Sequence, residues 1–198
     1  FLLAFVPQTG IARRKRGMVL KKKINVFDYA GDIMKALDKG VLITTKADGK
    51  VDSMTLGWGT LGIDWSLPVF TAYIRKSRFT KEQLEKNPEF TVNVPYGAFD
   101  PKILGVCGSK SGRDMDKAKE LGLTLVDPEV ISVPAVKELP LTLECRVVCV
   151  EKQDTDTMPE EILKEHYPSE KPTPFGGSLE NYHYAFYGQI VSAYMIED

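Results

Sequence analysis

Residues 41–45 and 51–58 are two runs rich in β-branched and apolar side chains, separated by Asp48-Gly49. An Asp-Gly pair between extended runs is a strong hairpin signal, because both central residues of the tight turn need φ > 0. A hairpin cannot bury itself, so further strands are required, and the chain supplies them. Pro68 introduces residues 69–74; residues 90–94 follow. In residues 141–150, Leu141, Leu143, Cys145, Val147 and Cys149 alternate onto one face, and residues 184–196 form a last long strand. Only short helical patterns intervene. Residues 25–37 place Val26, Phe27, Ala30, Ile33, Met34 and Leu37 at helical spacing, with Gly40 as a left-handed cap. Thr80-Lys81-Glu82-Gln83 reads as a capping box opening a helix that ends near Asn87-Pro88. Residues 101–107, 116–121 and 160–165 are three more short helices, the first two closed by Gly108 and Gly122. Strands broken by small helices, with no regular βαβ alternation, predict a mainly β fold: an antiparallel Greek-key-type barrel with helical insertions. No Gly-x-Gly-x-x-Gly follows a strand, which argues against a dinucleotide-binding domain.

At 198 residues the chain has the length of one domain, here residues 24–198, behind a basic leader at residues 1–23. That leader holds seven Lys and Arg and no acid, so a net charge of -1 leaves -8 on the rest. An acidic body excludes nucleic acid as the main partner, since phosphate backbones need a basic face. The leader's apolar part precedes its basic part, the reverse of a secretory signal, and Met18 stands just before the first patterned segment. Residues 1–17 therefore read as a gene-start artefact. No apolar run approaches the ~18 residues of a membrane span, and the expected setting is cytoplasmic with no membrane partner. Cys107, Cys145 and Cys149 are an odd set, and the last two, four residues apart on a strand, lie about 13 Å apart. They are expected as reduced thiols.

The chemistry concentrates between Asp52 and Thr80. Arg75-Lys76-Ser77-Arg78-Phe79-Thr80 ends a strand and enters a helix, placing Arg75, Ser77, Arg78 and Thr80 beside free N–H groups and a positive dipole end. Two guanidiniums, two hydroxyls and a helix start suit a phosphate. Upstream, alternation puts Ser53 and Thr55 on one face and Met54 on the other, toward the core; Trp58, Gly59 and Thr60 follow. Hydroxyls and glycines there suit a polar chain and a flat ring. The loop carrying Ser109, Lys110, Ser111 and Gly112 reads equally as an anion clamp and as a helix cap by Ser111. His183, at the mouth of the last strand, is a candidate for the ring's surroundings. Two histidines are too few for a His-rich metal centre, and no Gly-x-Ser-x-Gly motif suggests a covalent nucleophile, so no catalytic residue or metal ligand is assigned.

In chain order, Ser53-x-Thr55, Trp58-Gly59-Thr60, Arg75-x-Ser77-Arg78-x-Thr80, Phe90-x-Val92-Asn93, Ser111-Gly112 with Asp116-Lys117, and Leu143-Glu144-Cys145 resemble the flavin reductase-like family. This is the flavoredoxin and NADH:FMN oxidoreductase group, and the resemblance covers about residues 41–196. It implies an FMN-binding split barrel, a homodimer with FMN near the interface, and NADH or NADPH as hydride donor. The acceptor is a small molecule the sequence does not specify. Carried over by position, Ser53 and Thr55 take the ribityl and phosphate side. Trp58, Gly59 and Thr60 flank the ring, and Arg75, Ser77, Arg78 and Thr80 take the phosphate. Asn93, the 109–112 loop and Lys117 contribute. A flavoredoxin-like FMN carrier without its own NAD(P)H activity is the alternative; a related barrel for haem or pyridoxal phosphate is a third. The polar residues 151–180 are expected to shape access.

Overall fold

The computed structural model describes residues 19–168 and 178–197. The leader through residue 18 and the middle of the 151–180 stretch lie outside the described residues. Strand β1 (Leu20–Lys23) is followed by a 3-10 turn, Val26–Tyr29, opened by the Asn25 side chain accepting from the Phe27 N–H. Helix α1 (Ala30–Lys39) starts only after Tyr29, whose φ of -108° and ψ of 6° are not helical, so the single helix expected over 25–37 is divided. Gly40 has φ 111° and ψ 135°, which is not the left-handed cap but is a conformation glycine adopts most readily.

Strands β2 (Val41–Ala47) and β3 (Lys50–Leu56) form the expected hairpin, turning at Asp48 (φ 51°) and Gly49 (φ 76°). A second hairpin joins β4 (Gly59–Asp64) to β5 (Leu67–Arg75). Its turn uses Trp65 (φ 49°) and Ser66 (φ 59°), with the Asp64 carboxylate accepting from the Trp65 N–H at 2.9 Å. No Gly or Asn marks this turn, which is why β4 went unread as a strand.

The chain continues through α2 (Phe79–Lys86), β6 (Glu89–Val94), α3 (Lys102–Ser109) and α4 (Lys117–Glu120). Two short strands follow, β7 (Leu125–Val126) and β8 (Ala135–Val136). The end is built from β9 (Leu141–Lys152), α5 (Glu160–His166) and β10 (His183–Glu197). Gly108 lies inside α3 rather than stopping it, whereas Gly122 does take a positive φ of 64° just past α4.

Eight strands make one sheet in the order β3-β2-β6-β9-β10-β5-β4, with β1 also on β10, and every pairing is antiparallel. One core cluster draws Ile43, Met54, Phe70, Phe90, Leu143 and Phe186 from six different strands, with Leu37 and Leu84 from α1 and α2. Six strands contributing to one cluster means the sheet curls around it, as the mainly β expectation required. Inside the core, Gly188 lets two strands approach closely: a Cβ there would sit 2.4 Å from the Phe90 ring.

The β9–β10 ladder slips between Tyr187 and Gly188 and again between Ile190 and Ser192. A bulge inserts one residue and reverses the faces beyond it. Val147 pairs with Gly188, but Cys149 pairs with Tyr187, so the single face expected from Leu141 to Cys149 ends at Val147. Cys107 and Cys145 are buried and Cys149 half-buried, all three free thiols.

Within β9, the fully buried Glu144 organises the segment before β8. Its carboxylate accepts from the N–H groups of Glu129 (2.7 Å), Val130 (2.8 Å) and Ile131 (3.3 Å), and from the Tyr194 hydroxyl (3.0 Å).

Candidate functional site

Two adjoining cavities open where β3, β5 and α2 meet the 109–112 loop. The first, of about 370 Å³, is lined by Asp52, Met54, the start of α2 from Ser77 to Thr80, residues 109–114 and Lys117. The second, of about 270 Å³, is lined by residues 54–58, Tyr73, Arg75, Arg78 and His183. Met54 and Arg78 line both, so the two form one elongated recess.

The first cavity is electropositive. Arg78, Lys110, Arg113 and Lys117 face Asp52 and Asp114, four cations against two carboxylates, a net of +2. The helix behind it begins without help: Arg78 (φ -73°, ψ 138°) is the N-cap of α2, and no side chain caps it. The expected capping box is not formed, because α2 starts at Phe79 and Thr80 is already its second residue. Gln83 instead accepts from the Thr45 hydroxyl at 2.5 Å and donates to the Lys50 carbonyl at 3.0 Å, fastening α2 to β2 and β3. A helix start without a side-chain cap presents N–H groups and positive dipole to the cavity.

The two arginines have separate places. Arg78 donates to the Gly108 carbonyl at 3.2 Å, and burial, then the neighbouring Arg75 charge, lowers its pKa. Arg75 lies in the second cavity alone. It makes long hydrogen bonds to the carbonyls of His166 (3.4 and 3.5 Å) and Asn181 (3.3 Å), with its guanidinium over the rings of Trp58 (5.6 Å) and Tyr167 (5.4 Å). His166 is the last residue of α5, so the cation sits at that helix's negative end. Ser77, expected beside Arg75, lines the first cavity, its N–H bonded to Asn181 Oδ1 at 3.0 Å.

On β3 the alternation is as expected, but the cavity lies on the other face. Asp52 and Met54 line the first cavity; Ser53 is buried against the Thr44 hydroxyl at 2.8 Å and lines neither. Thr55 donates to the Leu104 carbonyl at 2.6 Å and reaches only the second cavity. Asn93 is also elsewhere. It donates to the carbonyls of Val136 and Leu139 and to Thr142, and accepts from the Val136 N–H, anchoring β8. Thr60 is exposed on β4, outside both cavities. At Gly59 a Cβ would lie 2.7 Å from the Thr71 carbonyl oxygen, so its glycine serves strand pairing.

The loop is a wall but not the expected helix cap: Ser111 closes a turn over residues 112–114, and Asp116 caps α4. Ser109 donates to the Gly105 carbonyl at 2.8 Å, and Ser111 Oγ accepts from the Arg113 N–H at 3.2 Å. Arg113 reaches back to the Ser77 carbonyl at 3.2 Å and pairs with Glu82. Gly112 lies on Asp52, and Lys117 pairs with the same carboxylate.

Aromatic rings wall the second cavity. The Trp58 ring lies 4.6 Å from His183 and 5.0 Å from His166, centroid to centroid. His183 Nδ1 is 2.5 Å from the Tyr167 hydroxyl. Burial, then the charges of Arg75 and Arg78, drives the His183 pKa down to about 3, while burial raises that of Tyr167. The ring is therefore neutral, and the Tyr167 hydroxyl bonded to its Nδ1 also lies 3.3 Å from Gln153 Oε1. The pH consequence has a definite sign. The unfolded chain takes up a proton near the ordinary 6.5 that the fold refuses until about 3. The stability from the neutral ring is complete above 6.5 and is lost as pH falls toward 3. Urea titrations at pH 7, 5.5 and 4 should show His183→Gln losing less stability on acidification than the wild-type protein. Equal losses would mean that His183 titrates normally.

Sequence reading missed Asp52, Tyr73, Arg113, His166 and Tyr167. Asp52 shares the parity of Met54 and was legible by counting. The others come together only through tertiary structure.

The chain matches the family model described as "Flavin reductase like domain" over residues 34–198. It is 35% identical over 99 residues to an uncharacterized protein of Archaeoglobus fulgidus, covering 50% of this chain and 55% of that protein. It is 31% identical over 111 residues to an uncharacterized protein of Escherichia coli K12, covering 54% and 58%. The chain thus spans a little over half the length of these curated relatives. Among solved structures, it resembles flavoredoxin from Methanosarcina acetivorans with a TM-score of 0.57 and 28% identity, over 79% of this chain and 67% of that one. An FMN-binding domain of a flavin reductases-like enzyme from Shewanella baltica gives 0.59 at 18% identity, over 89% and 78%. The curled antiparallel sheet is the split barrel of these proteins, and with five-sixths of its length matched, the chain belongs to the flavin reductase-like family.

Proposed function

We propose that the recess holds flavin mononucleotide and that the protein is an oxidoreductase moving a hydride from NADH or NADPH to flavin, and electrons on to a small-molecule acceptor. The observation that carries this is the junction of two unlike cavities. One has a net charge of +2 at a helix start that no side chain caps; the other is walled by Trp58, Tyr73 and His183. A phosphate monoester carries close to two negative charges at neutral pH and matches the first. A flat, partly apolar ring matches the second. The residues therefore fit FMN. Bound there, the flavin supplies the redox chemistry itself.

The chain's residues have narrower tasks. Arg78, Lys110 and the α2 N–H groups bind the phosphate; Trp58 and His183 exclude water from the ring side; Tyr167 fixes the orientation of the neutral His183 ring through Nδ1. No strong general base is required for hydride transfer, in keeping with the absence of one from the assigned residues. The working form is a cytoplasmic homodimer, as the sequence resemblance implies. The likeness to a flavoredoxin favours a second reading, an FMN carrier without a useful NAD(P)H site.

Purified protein should be yellow, absorbing near ~450 nm as flavins do, and should bleach within seconds of anaerobic NADH or NADPH addition. A yellow protein indifferent to both nucleotides is the carrier. A colourless protein that fails to take up added FMN overturns the reading.

A further inference from the structure

The Asp52 and Lys117 side chains are 3% and 2% exposed, and their charged atoms are 3.0 Å apart. Burying an ion pair is expensive, and such pairs add little to stability over apolar side chains of the same size. This one lies in the lining of the electropositive cavity, and it touches that cavity's wall at several points. Lys117 Nζ donates to the Lys110 carbonyl at 3.4 Å. Gly112 lies so close that an added Cβ would meet the Asp52 carboxyl atoms at 2.2 to 2.7 Å. Lys117 is the first residue of α4, whose cap is the Asp116 carboxylate accepting from the Lys119 N–H at 3.0 Å. The carboxylate therefore sits under the 109–112 loop and holds the ammonium beneath it.

We propose that Asp52 is a positioning residue of the phosphate pocket: its carboxylate holds the Lys117 ammonium in place, and through Lys110 and Gly112 keeps the loop closed on the ligand's phosphate. The inference rests on the FMN reading above. It separates Asp52 from the residues that touch the ligand: Asp52 itself repels an anion and helps only through Lys117. Without the carboxylate, the ammonium is buried with no counter-charge and is driven out of its place, taking the loop with it.

The test compares FMN with riboflavin, which has the same ring and ribityl chain and lacks the phosphate. The FMN-to-riboflavin affinity ratio then isolates the phosphate pocket. Asp52→Asn preserves shape and removes charge. Its ratio, read by calorimetry on the apoprotein, should fall about ten-fold or more, with riboflavin affinity nearly unchanged. An unchanged ratio means the pair is only structural, and a raised ratio means the carboxylate merely opposes the phosphate; either overturns the proposal. Should Asp52→Asn fail to fold, Lys117→Met and the double variant Asp52→Asn/Lys117→Met decide. A double-variant ratio equal to or above that of Lys117→Met shows that Asp52 helps only through Lys117, and a lower one overturns that. A wild-type protein that binds neither flavin refutes the FMN reading itself, while wild-type preference for FMN with an indifferent Asp52→Asn refutes only this inference.

Discussion

Replacing Glu144 with alanine should destabilise the protein by about 3 kcal/mol or more, because each buried donor stripped of its acceptor costs about 1–3 kcal/mol. Three backbone N–H groups and the Tyr194 hydroxyl converge on that carboxylate; the Ile131 N–H and the Tyr194 hydroxyl are buried and alanine leaves them without an acceptor, while the Glu129 and Val130 N–H groups are partly buried and can turn to water. For a domain of this size, about 3 kcal/mol lowers Tm by roughly 6–12 °C. Glu144→Gln keeps one acceptor oxygen but turns an amide NH2 toward N–H groups, so it should fall between. The exposed pair Lys164–Glu160 is the control, since breaking a surface pair costs at most about 1 kcal/mol. Thermal denaturation of the three variants measures all of this. If Glu144→Ala melted within a degree or two of the wild-type protein, the carboxylate would not be organising residues 129–131.

Replacing Arg78 with alanine should weaken FMN binding by about 1.5–3 kcal/mol, the worth of a charge-assisted hydrogen bond, and leave riboflavin binding almost unaltered. That is roughly a ten- to hundred-fold rise in Kd. Arg78 lines both cavities at the N-cap of α2. Arg75→Ala should behave differently. Its guanidinium is engaged by the His166 and Asn181 carbonyls and by two aromatic rings, so its loss should loosen His166, Tyr167 and Asn181 around the second cavity and affect FMN and riboflavin alike. Fluorescence titration with both flavins separates the two arginines. If Arg75→Ala removed the phosphate preference and Arg78→Ala did not, the division of labour would be reversed.

That division shows how far the sequence could be read. Strands with strong punctuation were visible: Asp48-Gly49 fixed the first hairpin, and the alternation from Leu141 fixed the inner half of β9. The second hairpin was hidden because its turn residues, Trp65 and Ser66, take positive φ without the usual Asn or Gly. The bulge near Gly188 was hidden because a single extra residue leaves no mark on composition, yet it turns Cys149 away from the face of Cys145. In the candidate site, the Arg75–Thr80 run lines the two adjoining cavities, Arg75 the second and Ser77 to Thr80 the first. Parity on β3 was legible, but which face meets α2 and the 109–112 loop is decided by packing across the barrel. Ser53 was therefore favoured where Asp52 and Met54 stand. Asn93 has a polar side chain buried on an interior strand, and its task of holding β8 can be read only from partners more than forty residues away.

The missing cap on α2 makes this helix an unfinished element. At eight residues it is too short to persist alone, and its first turn lacks the side-chain acceptor most helices carry. An anion bound there, as the proposed function requires, would complete it from outside, as a detachable part of the secondary structure. Fraying at Phe79 would be passed along the helix to Gln83, which fastens α2 to both strands of the first hairpin. On that reading, filling the recess would slow amide hydrogen exchange in this one turn and tighten the seat of α2 on the hairpin.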